Sequence, residues 1–146
     1  MNPTIEISFK TAQAYNAMCK PLCQELKLPQ TAFDILMFLA NNPDCTTARD
    51  IVEIRKIKAN LNLVSVNVDR LVQEGYLERR AVAGDRRKTQ LLCTEKAQPV
   101  IARGREVQER FFARLLDNTD APTRETFFRT MEVIGKNLDE ILLQFS

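Results

Sequence analysis

Histidine is absent from the 146 residues, and with it the commonest nitrogen ligand of metals and the usual general base near neutral pH. Glycine is scarce, with four in all. No glycine-rich phosphate loop and no serine elbow can be found, and no cysteine has a base suggested by its neighbours. The cysteines, Cys19, Cys23, Cys45 and Cys93, follow no zinc-binding spacing, so reduced thiols and neither metal nor cofactor are expected. No uninterrupted apolar run approaches about 18 residues, and residues 1–10 lack a basic segment followed by an apolar one. Neither export nor membrane insertion is expected, and the chain reads as cytoplasmic. These absences remove the common enzyme chemistries and leave binding as the expected work.

What is present is ordinary for a globular protein: 45% hydrophobic and 27% charged residues, in a length that buries one core without staples. The net charge is only +2. Its distribution says more. Residues 46–96 hold eleven Lys or Arg against seven Asp or Glu, whereas the remainder holds ten against twelve. Positive charge therefore sits in the middle third, as in a basic reading head on a near-neutral scaffold.

Periodicity supplies the organisation. After a lead of Ile5, Ile7 and Phe9, apolar residues at Ala12, Met18, Leu22 and Leu26 predict a first helix that Pro29 ends. A second begins near Gln30 or Thr31 and stops at Asn41-Asn42-Pro43-Asp44. Thr46 or Thr47 caps a third, with Ile51, Ile54 and Ile57 inward and Arg49, Arg55, Lys56 and Lys58 outward. In a fourth, Leu61, Val64, Val68, Leu71 and Val72 share one arc, Asn62, Ser65, Val66 and Asp69 lie opposite or at its edge, and Gly75 ends the helix.

Residues 76–82 and 88–94 are rich in strand formers and read as a hairpin joined by Ala83-Gly84-Asp85-Arg86-Arg87. Thr94 then caps a long helix through Val100, Val107, Phe111 and Leu115, broken over residues 117–122. The last helix carries Phe127, Met131, Ile134, Leu138, Ile141 and Leu142, an apolar seam suited to packing against another helix. A lone chain covers such a seam poorly, so these residues are expected to form a dimer interface. The fold class is mainly α (α+β): a winged helix-turn-helix lobe over residues 30–96, within one domain whose residues 1–29 and 97–146 are dimerisation helices.

In that arrangement the fourth helix enters the major groove and the hairpin tip approaches the minor groove. Asn60, Asn62 and Ser65 are small polar groups suited to base edges or phosphates, and Arg86 and Arg87 suit a narrow, negative minor groove. Thr47 and Arg49, at the start of the third helix, are counted with them as DNA-binding candidates, as is Asp85. Arg70, Arg79 and Arg80 lie away from the helix start and the wing tip and read as internal ion pairs or phosphate contacts.

Val68-Asp69-Arg70-Leu71, Gly75-Tyr76-Leu77-Glu78-Arg79, Asp85-Arg86-Arg87, Leu91 and Thr94-Glu95-Lys96-Ala97 together resemble the MarR family of bacterial winged helix-turn-helix transcription regulators. The resemblance implies, in order, the recognition-helix end, a wing strand, a wing tip with an Asp-x-Arg signature, the second wing strand and the start of the fifth helix. It makes Arg87 the wing arginine, Asp85 the carboxylate that orients it and Arg86 a more variable neighbour. It further implies a homodimer built from the first, fifth and sixth helices on an inverted-repeat operator in double-stranded DNA. A repressor is the commoner role in the family, and a small apolar or phenolic effector between lobe and bundle is compatible with it. Two departures stand out: Ala97 where many members have glycine, and residues 55–59, longer or differently turned than the usual connection.

Two further readings follow from the same residues. Some relatives sense oxidants with a first-helix cysteine, but one nearer the N-terminus than Cys19 and Cys23, which read instead as small buried thiols in a dimer interface. The alternative function is a winged-helix module that binds protein without sequence-specific DNA binding; the wing arginines and the local basic excess argue against it.

Overall fold

The computed structural model describes residues 2–44, 46–52 and 61–145, with Leu61 and Arg86 described by their backbone only. Cys45, Ile54, Arg55, Lys56, Ile57, Lys58 and Asn60 lie outside the described residues, so the expectations placed on them and on the connection 55–59 are not addressed. The elements are α1 (Pro3–Leu26), α2 (Gln30–Asn41), α3 (Ala48–Asp50), α4 (Leu61–Gln73), β1 (Leu77–Val82), β2 (Asp85–Cys93), α5 (Ala97–Leu115) and α6 (Ala121–Phe145). They fall into two compact units, Met1–Phe111 and Phe112–Ser146.

In the first unit α2 is the central element. Seven of its twelve residues, including Phe33, Ile35, Leu36 and Met37, are buried, as befits a helix apolar on every side. One face meets Ile51, Val64, Val68 and Leu71, together with Leu77 and Leu91 of the hairpin and Val100 and Ile101 of α5. The other meets Cys19, Leu22 and Cys23 of α1 and Val107 of α5. Gly104 of α5 lies so close to α2 that a Cβ there would stand 2.5 Å from Met37 Sδ and 3.1 Å from the Phe33 ring. Arg105 reaches the α2 C-terminus, donating to the Ala40 carbonyl and Asn41 Oδ1 at 3.3 Å each.

α1 starts earlier than its periodicity suggests. The alternating Ile5, Ile7 and Phe9 are helical and exposed, because Asn2 accepts from the Thr4 amide at 2.9 Å and Pro3 suits the first turn. Lys27, left-handed at φ 55°, closes the helix before Pro29 does. At α3 the cap is Thr47, in a reciprocal box with Asp50: each side chain accepts from the other's backbone amide at 3.1 Å.

α4 presents the arc that its sequence draws. Val64, Val68 and Leu71 are buried, while Asn62, Ser65, Val66 and Asp69 are exposed. Gly75, at φ 84°, ends it in a Schellman motif, with the Tyr76 amide on the Leu71 carbonyl and the Gly75 amide on that of Val72. β1 and β2 pair antiparallel from Leu77↔Cys93 onward.

The hairpin loop is shorter than the five residues expected. Gly84 takes φ 84°, so the chain reverses over Ala83 and Gly84 alone and Val82 pairs with Asp85. The next pair is Ala81 with Thr89, which leaves Arg86, Arg87 and Lys88 bulged from β2. The Thr94 hydroxyl donates to the Gly75 carbonyl at 2.6 Å and its carbonyl accepts from the Ala97 amide at 3.1 Å; α5 begins three residues after Thr94, with Pro99 inside its first turn.

In the second unit the residues around 117–122 redirect the chain and start α6. Asn118 is left-handed at φ 66°, Asp120 accepts from the Thr123 amide at 2.9 Å, and hydrogen bonds from the Thr123 side chain and amide hold the Asp120 carboxyl below its ordinary range. Arg124 donates to the Leu116 carbonyl at 3.1 Å and to the Thr119 hydroxyl at 3.0 Å. α6 has no buried residue among those described.

Candidate nucleic-acid interface

Three surfaces of the first unit carry the predicted DNA-binding residues: the start of α3, the outer face of α4 and the bulged tip of the hairpin. On α3, Arg49 is exposed and Thr47 is engaged in its cap. On α4, Asn62 and Ser65 are exposed, with Asn62 one turn before Val66. At the tip, Asp85 Oδ1 accepts from the Arg87 backbone amide at 2.9 Å. The aspartate of the Asp-x-Arg pattern thus grips the main chain of its arginine and sets the bulge, leaving the Arg87 side chain exposed. Lys88, assigned from sequence to the second strand, belongs to the same bulge and is exposed beside it. Only the register shift reveals that.

The arginines read as internal are so. Arg79 on β1 pairs with Asp69 on α4, which ties the hairpin to that helix. Arg80 pairs with Glu78, and Arg70 donates to the Lys27 carbonyl beyond the end of α1. Lys96 donates to the Glu74 carbonyl at 2.6 Å and lies 4.9 Å from the Tyr76 ring centroid. Tyr76, Thr94 and Lys96, three of the residues that carry the family resemblance, therefore clamp the end of α4 to the hairpin and the start of α5.

Four described carboxylates of this region are also held. Asp50 and Asp85 accept backbone amides, and Asp69 and Glu78 face arginines. Arg87 and Lys88 meanwhile project outward, so the surface presents cations with its nearby anions occupied.

Cys19 and Cys23 lie away from this surface. They are buried, as expected, but against α2 of the same chain, and burial pushes the Cys23 thiol up to about 11 and raises that of Cys19. Cys23 Sγ lies 3.8 Å from Gln30 Oε1, whose amide nitrogen donates to Asp34 at 2.9 Å. Neighbouring Tyr15, also raised by burial, accepts from Gln108 at 3.0 Å. Both thiols stay protonated near neutral pH, the unreactive form. Cys93 is half-buried and raised for the same cause, with Arg105 opposing. Among the described residues no group of three or more His, Cys, Asp or Glu is placed to hold a metal ion, and no helix is long and apolar enough to cross a membrane.

Comparison with known proteins agrees with this geometry. Residues 26–88 match the model of the MarR family. No curated protein matches the chain by sequence. Among solved structures, a MarR family transcriptional regulator from Listeria monocytogenes, complexed with a 26mer DNA, superposes with a TM-score of 0.83 at 18% identity, covering 98% of this chain and 93% of its own. A MarR protein from Peptoclostridium difficile gives 0.81 at 20% identity, covering 100% and 94%. Wild-type MarR from E. coli, in its apo form, gives 0.72 at 17% identity, covering 92% and 98%. Residues 26–88 thus match the MarR family model, and the chain shares the fold of these regulators over nearly its whole length.

Proposed function

We propose that this protein is a cytoplasmic transcription regulator that binds double-stranded DNA sequence-specifically as a homodimer, and that it acts as a repressor. The observation that carries the reading is the arrangement of charge on the first unit. Arg87 and Lys88 project from the bulge that Asp85 sets, while Asp69 and Glu78 are occupied by arginines behind it. A cationic tip beside an exposed polar helix face suits one groove of a duplex and its neighbour. The Listeria relative's complex with DNA supports the same partner.

The dimer rests on α6. Nine of its large apolar side chains, among them Met131, Ile134, Leu138, Ile141 and Leu142, are 40% exposed or more, and Phe127 is half-buried. A second copy is the simplest cover for so regular a seam, and two-fold symmetry of the protein calls for an inverted-repeat operator. For a small effector, a groove of about 430 Å³ between α1 and α5, lined by Met18, Leu22, Val107 and the Glu25–Arg103 ion pair, has a suitable size and mixed lining.

Selection of bound fragments from the source genome, followed by gel-shift titration, tests the reading. Enrichment of an inverted repeat, bound at least about a thousand-fold more tightly than random duplex, is expected of a specific regulator. Equal, weak binding to every duplex would leave the winged-helix protein-interaction module in its place.

A further inference from the structure

Among the described side chains of α4, Val66 is 65% exposed, more than Leu63, the other large apolar one that is exposed. At 100° per residue Asn62, Val66, Asp69 and Gln73 fall within an arc of roughly 60° on the side opposite Val64, Val68 and Leu71. All four are exposed. Val66 closes one edge of that arc, roughly 15° from the direction opposite the middle of the buried trio, in the second turn of the helix and one turn after Asn62. Local stability does not ask for valine there: a β-branched side chain loses rotamer freedom in a helix, and exposure yields no burial in return.

The geometry points to Val66 as a specificity-determining residue that reads a thymine through its C5-methyl group. This rests on the proposed major-groove reading of α4 and names what that reading selects. Of the groups that the four base pairs present in the major groove, the thymine methyl is the apolar one, so an isopropyl group exposed on a groove-facing side of the helix has one complementary target. Neighbouring Asn62 and Ser65 offer hydrogen bonds to polar edges, whereas Val66 offers only surface. Asp69, next along the arc, is occupied by Arg79 and does not thrust a bare carboxylate at the phosphates.

The test is a cycle between one protein side chain and one DNA methyl group. Each thymine of the selected operator is replaced in turn by deoxyuridine, which lacks only that methyl, and affinity is measured for wild type, Val66→Ala and Leu63→Ala. Wild type should lose about four-fold at one thymine per half-site, the worth of one buried methyl. Val66→Ala, which improves helix propensity at an exposed site and should melt no lower than wild type, should bind the two operators alike. Leu63→Ala should keep the four-fold difference. Equal affinity of wild type for every deoxyuridine operator overturns the assignment while leaving DNA binding intact. So does an undiminished four-fold loss in Val66→Ala. Failure to enrich any duplex overturns the major-groove reading itself, and the assignment with it.

Discussion

Arg87 and the pair Asn62 and Ser65 differ in what a duplex offers them. The Arg87 guanidinium stands exposed on a bulge whose main chain is held by Asp85, so it meets a groove by charge and shape. Arg87→Ala should weaken binding to specific and random duplexes alike and lower the slope of log K against log salt by about two, one phosphate-equivalent per half-site. Asn62→Ala and Ser65→Ala should each cost about 1 to 3 kcal/mol per lost contact on the preferred operator and much less on random DNA. Titration of both duplexes at several salt concentrations separates the two. An unchanged slope removes the wing from the interface, and equal losses on both duplexes remove Asn62 and Ser65 from base reading. The exposure of these side chains was legible from α4 periodicity and the Asp-x-Arg pattern. The part played by Asp85 was not, because a carboxylate two residues before an arginine has both the guanidinium and the amide within reach, and the backbone path of the bulge selects the amide.

At the scale of elements, α5 comes close to α2 at Gly104. Alanine there gains roughly 0.5 to 1 kcal/mol of helix propensity but drives a methyl group into the buried Met37 and Phe33 side chains, an overpacking worth about 1 to 3 kcal/mol. Gly104→Ala should therefore be destabilised by up to about 2 kcal/mol in denaturant unfolding, the reverse of the usual effect in a helix interior. A stabilised variant would mean that the two helices separate more easily than the contact implies. The glycine itself was visible in the sequence, but its neighbours lie some 70 residues away and left no local signal. The hairpin teaches the same lesson. Strand formers located both strands, and the length of the turn depended on Gly84 adopting positive φ and on three basic residues leaving the ladder.

For the whole molecule, the seam on α6 is the feature that needs a partner. Burying each large apolar side chain is worth roughly 1.5 to 3 kcal/mol, so a helix with nine of them exposed gains heavily from association. Light scattering should show a dimer at micromolar concentration; a monomer would contradict the proposed assembly. Leu138→Asp places a charge in the seam and should yield monomers that bind the inverted repeat far more weakly, with circular dichroism reporting whether the helices persist. Dimers of undiminished stability in that variant would move the interface away from Leu138.

What the sequence by itself determined is the order of the elements, the inward and outward faces of α4 and the apolar seam of α6. These follow from the 3.6-residue and two-residue periods, which depend on near neighbours alone. Its spaced residues from Val68 to Ala97 also carried the family resemblance. Only the tertiary structure decided which charges are occupied. Arg79 reaches Asp69 across ten residues, Arg70 reaches the Lys27 carbonyl across 43, and Lys96 reaches the Glu74 carbonyl across 22. It also decided that the Thr94 hydroxyl ties the end of the hairpin to the end of α4. The reason is common to all of them: a hydrogen bond or ion pair forms where packing brings two groups within about 3 Å, and spacing along the chain does not specify which distant groups those will be.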